Sequence, residues 1–136
     1  MNLPVLALSA TLLLSSIHSA HAGDHYTIKK EIQCLSAIIY SEASGEPELG
    51  KLAIAYASIN RAKRSSRSTC KIKGVTRRSP PTALQPYFKT LAAKALFSKH
   101  KVIGLADSWN TGKTPHSRGK KVKVIARHVF YVISSL

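Results

Sequence analysis

The chain has 136 residues, and its 21 Lys and Arg against six Asp and Glu give a formal charge of +15. That length suits one compact domain and argues against a multidomain assembly. The charge predicts attraction to polyanions without specifying a fold, and the two cysteines alone make a poor zinc site.

Residues 1–22 contain no charged side chain and hold the apolar run Leu3 to Leu14. The run is shorter than the roughly 20 residues a membrane span needs. The segment ends in Ala20-His21-Ala22, an Ala-x-Ala cleavage pattern, so residues 1–22 are expected to be a secretory signal cut near Ala22. The mature product, residues 23–136, is then periplasmic or secreted and carries the whole positive charge. Its two cysteines, Cys34 and Cys70, are expected to form one disulfide, as an even count in an oxidising compartment favours.

In chain order, Thr27 is a possible cap for a first helix with apolar Ile28, Ile32, Leu35, Ile38 and Ile39 at three- and four-residue steps. That stripe places Tyr40 and Glu42 at the helix's C-terminal end. Gly45 interrupts the pattern, and Pro47 fits the first turn of a second helix with Leu49, Leu52, Ala53, Tyr56 and Ile59 on one face. This helix is expected to end near Asn60-Arg61, with residues 63–67 a basic loop. Residues 74–86, with three prolines, read as irregular. Phe88, Leu91, Ala92, Ala95 and Leu96 predict a third helix from about Tyr87 to His100. Residues 104–121, which include Trp109, read as a long binding loop. The β-branched and aromatic run from Val122 to Ile133 reads as one strand.

Glu42, Glu46 and Glu48 are half of the chain's carboxylates within seven positions. Glycoside cleavage needs a carboxylic acid that keeps its proton near neutral pH to donate to the leaving oxygen. Glu42 follows apolar Ile38, Ile39 and Tyr40, and desolvation there would favour the protonated form. Glu46 and Glu48 are better placed to complement the second helix's N-terminus. His100, His116 and His128 show no metal-binding spacing, so neither metal nor cofactor is expected. Ser36, Ser41 and Ser44 lack a nucleophile elbow. Trp109 could stack on a sugar or serve as a core residue. His128 could orient a site residue or be structural.

The run from Cys34 through Tyr40, Glu42, Gly45 and Glu46 to Asn60-Arg61 and Cys70 resembles the opening pattern of the SleB (spore cortex-lytic) cell-wall hydrolase family. The family pattern is Cys-Leu-Ala-x-x-Ile-Tyr-x-Glu-Ala-Arg-Gly-Glu, a helix ending in Asn-Arg, and a second cysteine. The segment Val124 to Tyr131 is similar to the family's closing Ile-Gly-x-His-x-Phe-Tyr strand. The chain differs by Ser44 for the usual Arg, by the lack of a Gln-Phe-Ser-Trp segment, and by residues 106–112 in place of a Gly-Ala-Thr-His-Phe loop.

The resemblance implies an α+β, mainly α, lysozyme-like single domain related to lytic transglycosylases. It implies cleavage of peptidoglycan glycan strands without metal, with Glu42 as the catalytic residue; a monomer is expected. Substrate contacts are expected from Tyr40, Glu46, Trp109, Asn110, Thr111, His128 and Tyr131. Anionic envelope polymers are the expected partners of the positive charge, and nucleic acid is not. The competing expectation is a catalytically inactive cationic protein that binds the cell wall.

Overall fold

The computed structural model describes residues 20–98, 102–113 and 116–133, with side chains from residue 27 onward. The expected signal segment lies outside the described residues except for its last three positions. Those positions begin the first helix, α1 (Ala20–Ala43). Thr27 therefore sits inside α1 and does not cap it. No helix among the described residues is long and apolar enough to cross a membrane.

The second helix, α2 (Glu48–Arg64), is the centre of the molecule. The expected single apolar face understates it. Every residue from 50 to 60 is buried, whereas Leu49 is 50% exposed. Ala53, Ala55, Ala57 and Ser58 keep the helix slim enough for neighbours on all sides, and Ser58 folds its hydroxyl back onto the Ile54 carbonyl at 2.8 Å. A helix surrounded in this way is a core element rather than a surface one. It also runs on through Arg64, one turn past the expected end. Pro47 stands at its N-cap rather than within its first turn.

α1 lays Leu35, Ile38 and Ile39, all fully buried, into the same core. The third helix, α3 (Gln85–Phe97), closes it with Phe88, Leu91, Ala92 and Ala95. Pro86 occupies its first turn, where a missing N–H costs nothing. Single 3-10 turns at Thr69–Lys71 and Thr82–Leu84 bracket an otherwise irregular connection. Cys34 and Cys70 are bonded, with Cα atoms 5.1 Å apart. The bridge closes a 36-residue separation, worth about 3–4 kcal/mol on a chain-entropy estimate. Beside it, Glu31 accepts from the backbone N–H and hydroxyl of Thr69 at 2.9 and 2.5 Å.

The C-terminal third departs most from expectation. Trp109 and Asn110 lie on a short strand, β1 (Ser108–Asn110), rather than in a loop. The run expected as one strand is a hairpin of β2 (Gly119–Ile125) and β3 (His128–Ile133), reversed at Ala126-Arg127. The sheet is antiparallel in the order β1-β3-β2, with a bulge between Lys121 and Lys123. Ala126 takes a left-handed φ of 51° in the turn. Fully buried Phe130 of β3 and buried Ile125 at the end of β2 carry the sheet's contribution to the core.

Candidate active site

The α1–α2 junction carries the three clustered glutamates, and each meets a different fate. Glu46 turns inward, with its side chain only 2% exposed. Its carboxylate accepts from Arg127 Nε at 2.6 Å and more weakly from the Arg127 backbone N–H at 3.4 Å. Helix capping is thus not its role, and α2 has no side-chain cap. Glu46 instead fastens the β2–β3 turn to the helix junction across 81 residues of sequence. The approach depends on Gly50, where a Cβ would stand 3.0 Å from Glu46 Cβ and 3.5 Å from Ala126 Cβ. Lys51 adds a bond from its ammonium to the Glu46 carbonyl.

His128 is buried beside this pair, with Nδ1 3.9 Å from Glu46 Oε1 and no hydrogen-bond partner among the described residues. Burial pushes the imidazole below its ordinary value, against an upward pull from Glu46. Burial alone would raise the Glu46 carboxyl, but the Arg127 hydrogen bonds and charge, aided by His128, hold it below the usual range. The pair therefore consists of a carboxylate and a neutral imidazole near neutral pH.

Glu42 is half-buried at the last turn of α1. In place of the expected apolar wall, its Oε1 accepts from the backbone N–H of Thr76 at 2.7 Å. The neighbouring Ser41 hydroxyl accepts from the Arg78 N–H at 2.6 Å. The irregular segment after the second cysteine is thus pinned along the exposed side of α1 and fixes the orientation of the Glu42 carboxylate. Glu48 is exposed and pairs with Lys94 of α3 at 2.8 Å.

The remaining expected contacts separate into two groups. Tyr40 is drawn away toward α3 and packs edge-to-face on Phe88, with ring centroids 5.3 Å apart. Trp109, Asn110 and Tyr131 gather on the sheet: Asn110 Oδ1 lies 3.5 Å from the Tyr131 hydroxyl and accepts from the Gly112 N–H at 2.9 Å. Trp109 lies under the Arg61 guanidinium, 4.5 Å from its ring centroid. Thr111 is exposed.

Several organising residues were not expected. Asn60 donates to the carbonyls of Gly104 and Ala106 at 2.9 and 2.8 Å, and Arg61 donates to the Asp107 carbonyl at 2.8 Å. Asp107 is itself buried, bonded to Arg64 and to the Ile133 N–H. The scarcity of acids was the available signal. Every carboxylate described is bound: Glu31, Glu42, Glu46, Glu48 and Asp107.

Two open cavities flank this arrangement. One, of about 410 Å³, lies between α1 and the start of α3 near Arg77 and Pro80. The other, of about 800 Å³, lies at the C-terminal end of α2 between Arg61, Trp109 and Arg118. Glu42 lines neither, but Gly74 in the larger one is only two residues from the Thr76 amide that holds it. No cluster able to hold a metal occurs among the described residues.

No family model matches this chain, and no curated protein sequence does. Two solved structures resemble it. The catalytic domain of the Bacillus cereus SleB protein aligns with a TM-score of 0.60 at 21% identity, over 76% of this chain and 91% of that one. The catalytic domain of the germination-specific lytic transglycosylase SleB from Bacillus anthracis gives the same score and identity, over 76% of this chain and 95% of that one. The chain has the SleB catalytic-domain fold. It is a lysozyme-like, mainly helical α+β domain, as the resemblance implied.

Proposed function

We propose that this protein is an exported enzyme that cleaves the glycan strand of peptidoglycan, with Glu42 as its one catalytic carboxyl. The observation that carries the reading is Glu42 itself. It stands at the end of α1 in a SleB-like fold, half-buried, oriented by the Thr76 amide, and without an ion-pair partner among the described residues. Glu46 is committed to Arg127 and Glu48 faces Lys94, so neither is free to act as a second reacting carboxylate.

In this reading protonated Glu42 gives its proton to the glycosidic oxygen as the bond to the sugar's anomeric carbon breaks. The resulting carboxylate then takes the proton of the attacking hydroxyl. When that hydroxyl is the muramic acid 6-OH, the product is an anhydro end, and one carboxyl serves both steps. Among the described residues no second carboxylate at the junction is available, which favours this over hydrolysis. Export is supported by the apolar leader and by the Cys34–Cys70 bridge, which suits an oxidising compartment.

The test is release of soluble fragments from purified sacculi, with product ends read by mass spectrometry. Glu42→Gln should lower release by about 10³-fold, the scale of a lost general acid, while leaving co-sedimentation with sacculi intact. Unchanged release by Glu42→Gln would refute the assignment. A second reading, a non-catalytic cationic wall binder, is favoured by the position of Glu42 outside both cavities. It predicts no fragment release from the unsubstituted chain.

A further inference from the structure

The larger cavity is more basic than its surroundings require. Arg61 and Arg64 belong to the last turn of α2, where cations complement the helix dipole, and both also bond Asp107. Arg67, Lys73 and Arg118 have no such explanation. They reach the same cleft from three different segments, and their side chains have no ion-pair partner among the described residues. No carboxylate lines the cleft among the described residues, and Asp107, next to the lining residue Ser108, is taken up by Arg64 and the Ile133 N–H. The Arg61 guanidinium is held below its ordinary value first by burial and further by Arg64, with Asp107 and Glu42 pulling it back up.

The cleft also leads toward Glu42. Arg61 Nη1 donates to the Lys73 carbonyl at 3.1 Å, and two residues past Gly74 the Thr76 amide holds Glu42. A strand that passes the carboxyl along this segment would lay its side groups among these cations. Trp109, at the same wall, has one ring face covered by Arg61. A single aromatic with one face occupied is a poor platform for successive bases, which single-stranded nucleic-acid binders stack on several rings.

We propose that this cleft binds the carboxylates of peptide substituents on the glycan strand, so that the protein prefers strands whose peptides carry free carboxylates over strands whose peptides are amidated. The proposal rests on the glycan-cleaving reading for its choice of polymer. Fixed cations at a cleft read carboxylates mainly through charge, so recognition weakens as salt rises.

The experiment is co-sedimentation of the full chain in the cold with intact sacculi and with sacculi whose peptide carboxylates have been converted to amides by carbodiimide coupling with excess ammonia, over a range of salt. The unsubstituted protein should bind intact sacculi roughly tenfold more tightly than amidated ones, as three solvent-facing ion pairs of ordinary strength would give together. The triple variant Arg67→Gln, Lys73→Gln, Arg118→Gln should lose that preference and bind both alike. Equal binding of the unsubstituted protein to both sacculi overturns the proposal, as does a triple variant that keeps the preference. Duplex or single-stranded DNA that displaces the protein from intact sacculi through the same three residues would assign the cleft to nucleic acid and overturn it too. Fragment release by the unsubstituted chain and by Glu42→Gln reports separately on the cleavage reading, so failure of one is distinguishable from failure of the other.

Discussion

At the N-terminal end of α2, a buried carboxylate, Glu46, is met by Arg127, and His128 fills the space beside it as a neutral ring. At the C-terminal end, Arg67, Lys73 and Arg118 face an open cleft with no carboxylate of their own. The first region fastens the β2–β3 turn to the helical core. The second leaves its charge for something outside the chain. Charge answered inside the molecule does structural work, and charge left unanswered at a concave surface marks where a partner goes. In a chain with 21 basic and six acidic residues, the few acids decide which cations belong to the fold.

The largest effect expected from this difference comes from removing Arg127. Its side chain is 76% exposed, but Glu46 is not. Arg127→Ala would strand a buried carboxylate, at a cost of about 3 kcal/mol in denaturant unfolding, on the scale of a buried charge left unpaired. Arg127→Ala combined with Glu46→Gln should cost less than the two changes added. Additive losses would show that the pair does not act as a unit and would erase the contrast between the two ends of α2.

A somewhat smaller loss should follow from crowding the same contact. Gly50→Val would drive a branched side chain into Glu46 Cβ and Ala126 Cβ, and overpacking of this kind costs about 1–3 kcal/mol. Measured against Gly50→Ala, it separates steric displacement of the hairpin turn from the helix-propensity gain of losing a glycine. If Gly50→Val were as stable as the parent, the turn would not be seated against α2.

The helices were legible and this junction was not, for physical reasons. α1 and α3 repeat apolar residues at helical steps, so their existence and inward faces follow from the sequence. α2 uses alanines for close approach on every side, and its complete burial is hidden behind what reads as a one-sided stripe. The Ala126-Arg127 turn carries no Asn-Gly or Asp-Gly signal, so β2 and β3 read as one long strand. Glu46 precedes Pro47 and looks like a local helix-start acid, but its partner is 81 residues away. The disulfide was foreseeable from cysteine count alone, and the place of Glu42 in the last turn of α1 from the apolar stripe that precedes it. The Thr76 amide that orients Glu42 comes from an irregular segment with no pattern to read.

Acid should loosen the N-terminal end of α2 in two stages. Burial holds His128 below its ordinary 6.5, so the unfolded chain takes up a proton there that the folded chain resists. The stability tied to the neutral ring is complete above about pH 6.5 and is lost as the pH falls toward its folded value. Glu46 is held below its ordinary 4.5, so its share is complete above that value and is lost on further acidification. Thermal unfolding at pH 5 should come a few degrees lower than at pH 7, and His128→Gln should remove that first stage. An unfolding temperature flat between pH 7 and pH 5 would show that His128 is not held neutral by burial.

The smallest expected effect is the sharpest counterpart to Arg127. Arg67→Gln, Lys73→Gln and Arg118→Gln change exposed side chains that hold no carboxylate among the described residues. Together they should leave unfolding free energy within about 0.5 kcal/mol of the parent, as surface changes away from structural features do. A loss near that of Arg127→Ala would mean that these cations are bound within the fold. The α2 C-terminus would then be a second structural latch instead of a surface that waits for an anionic partner.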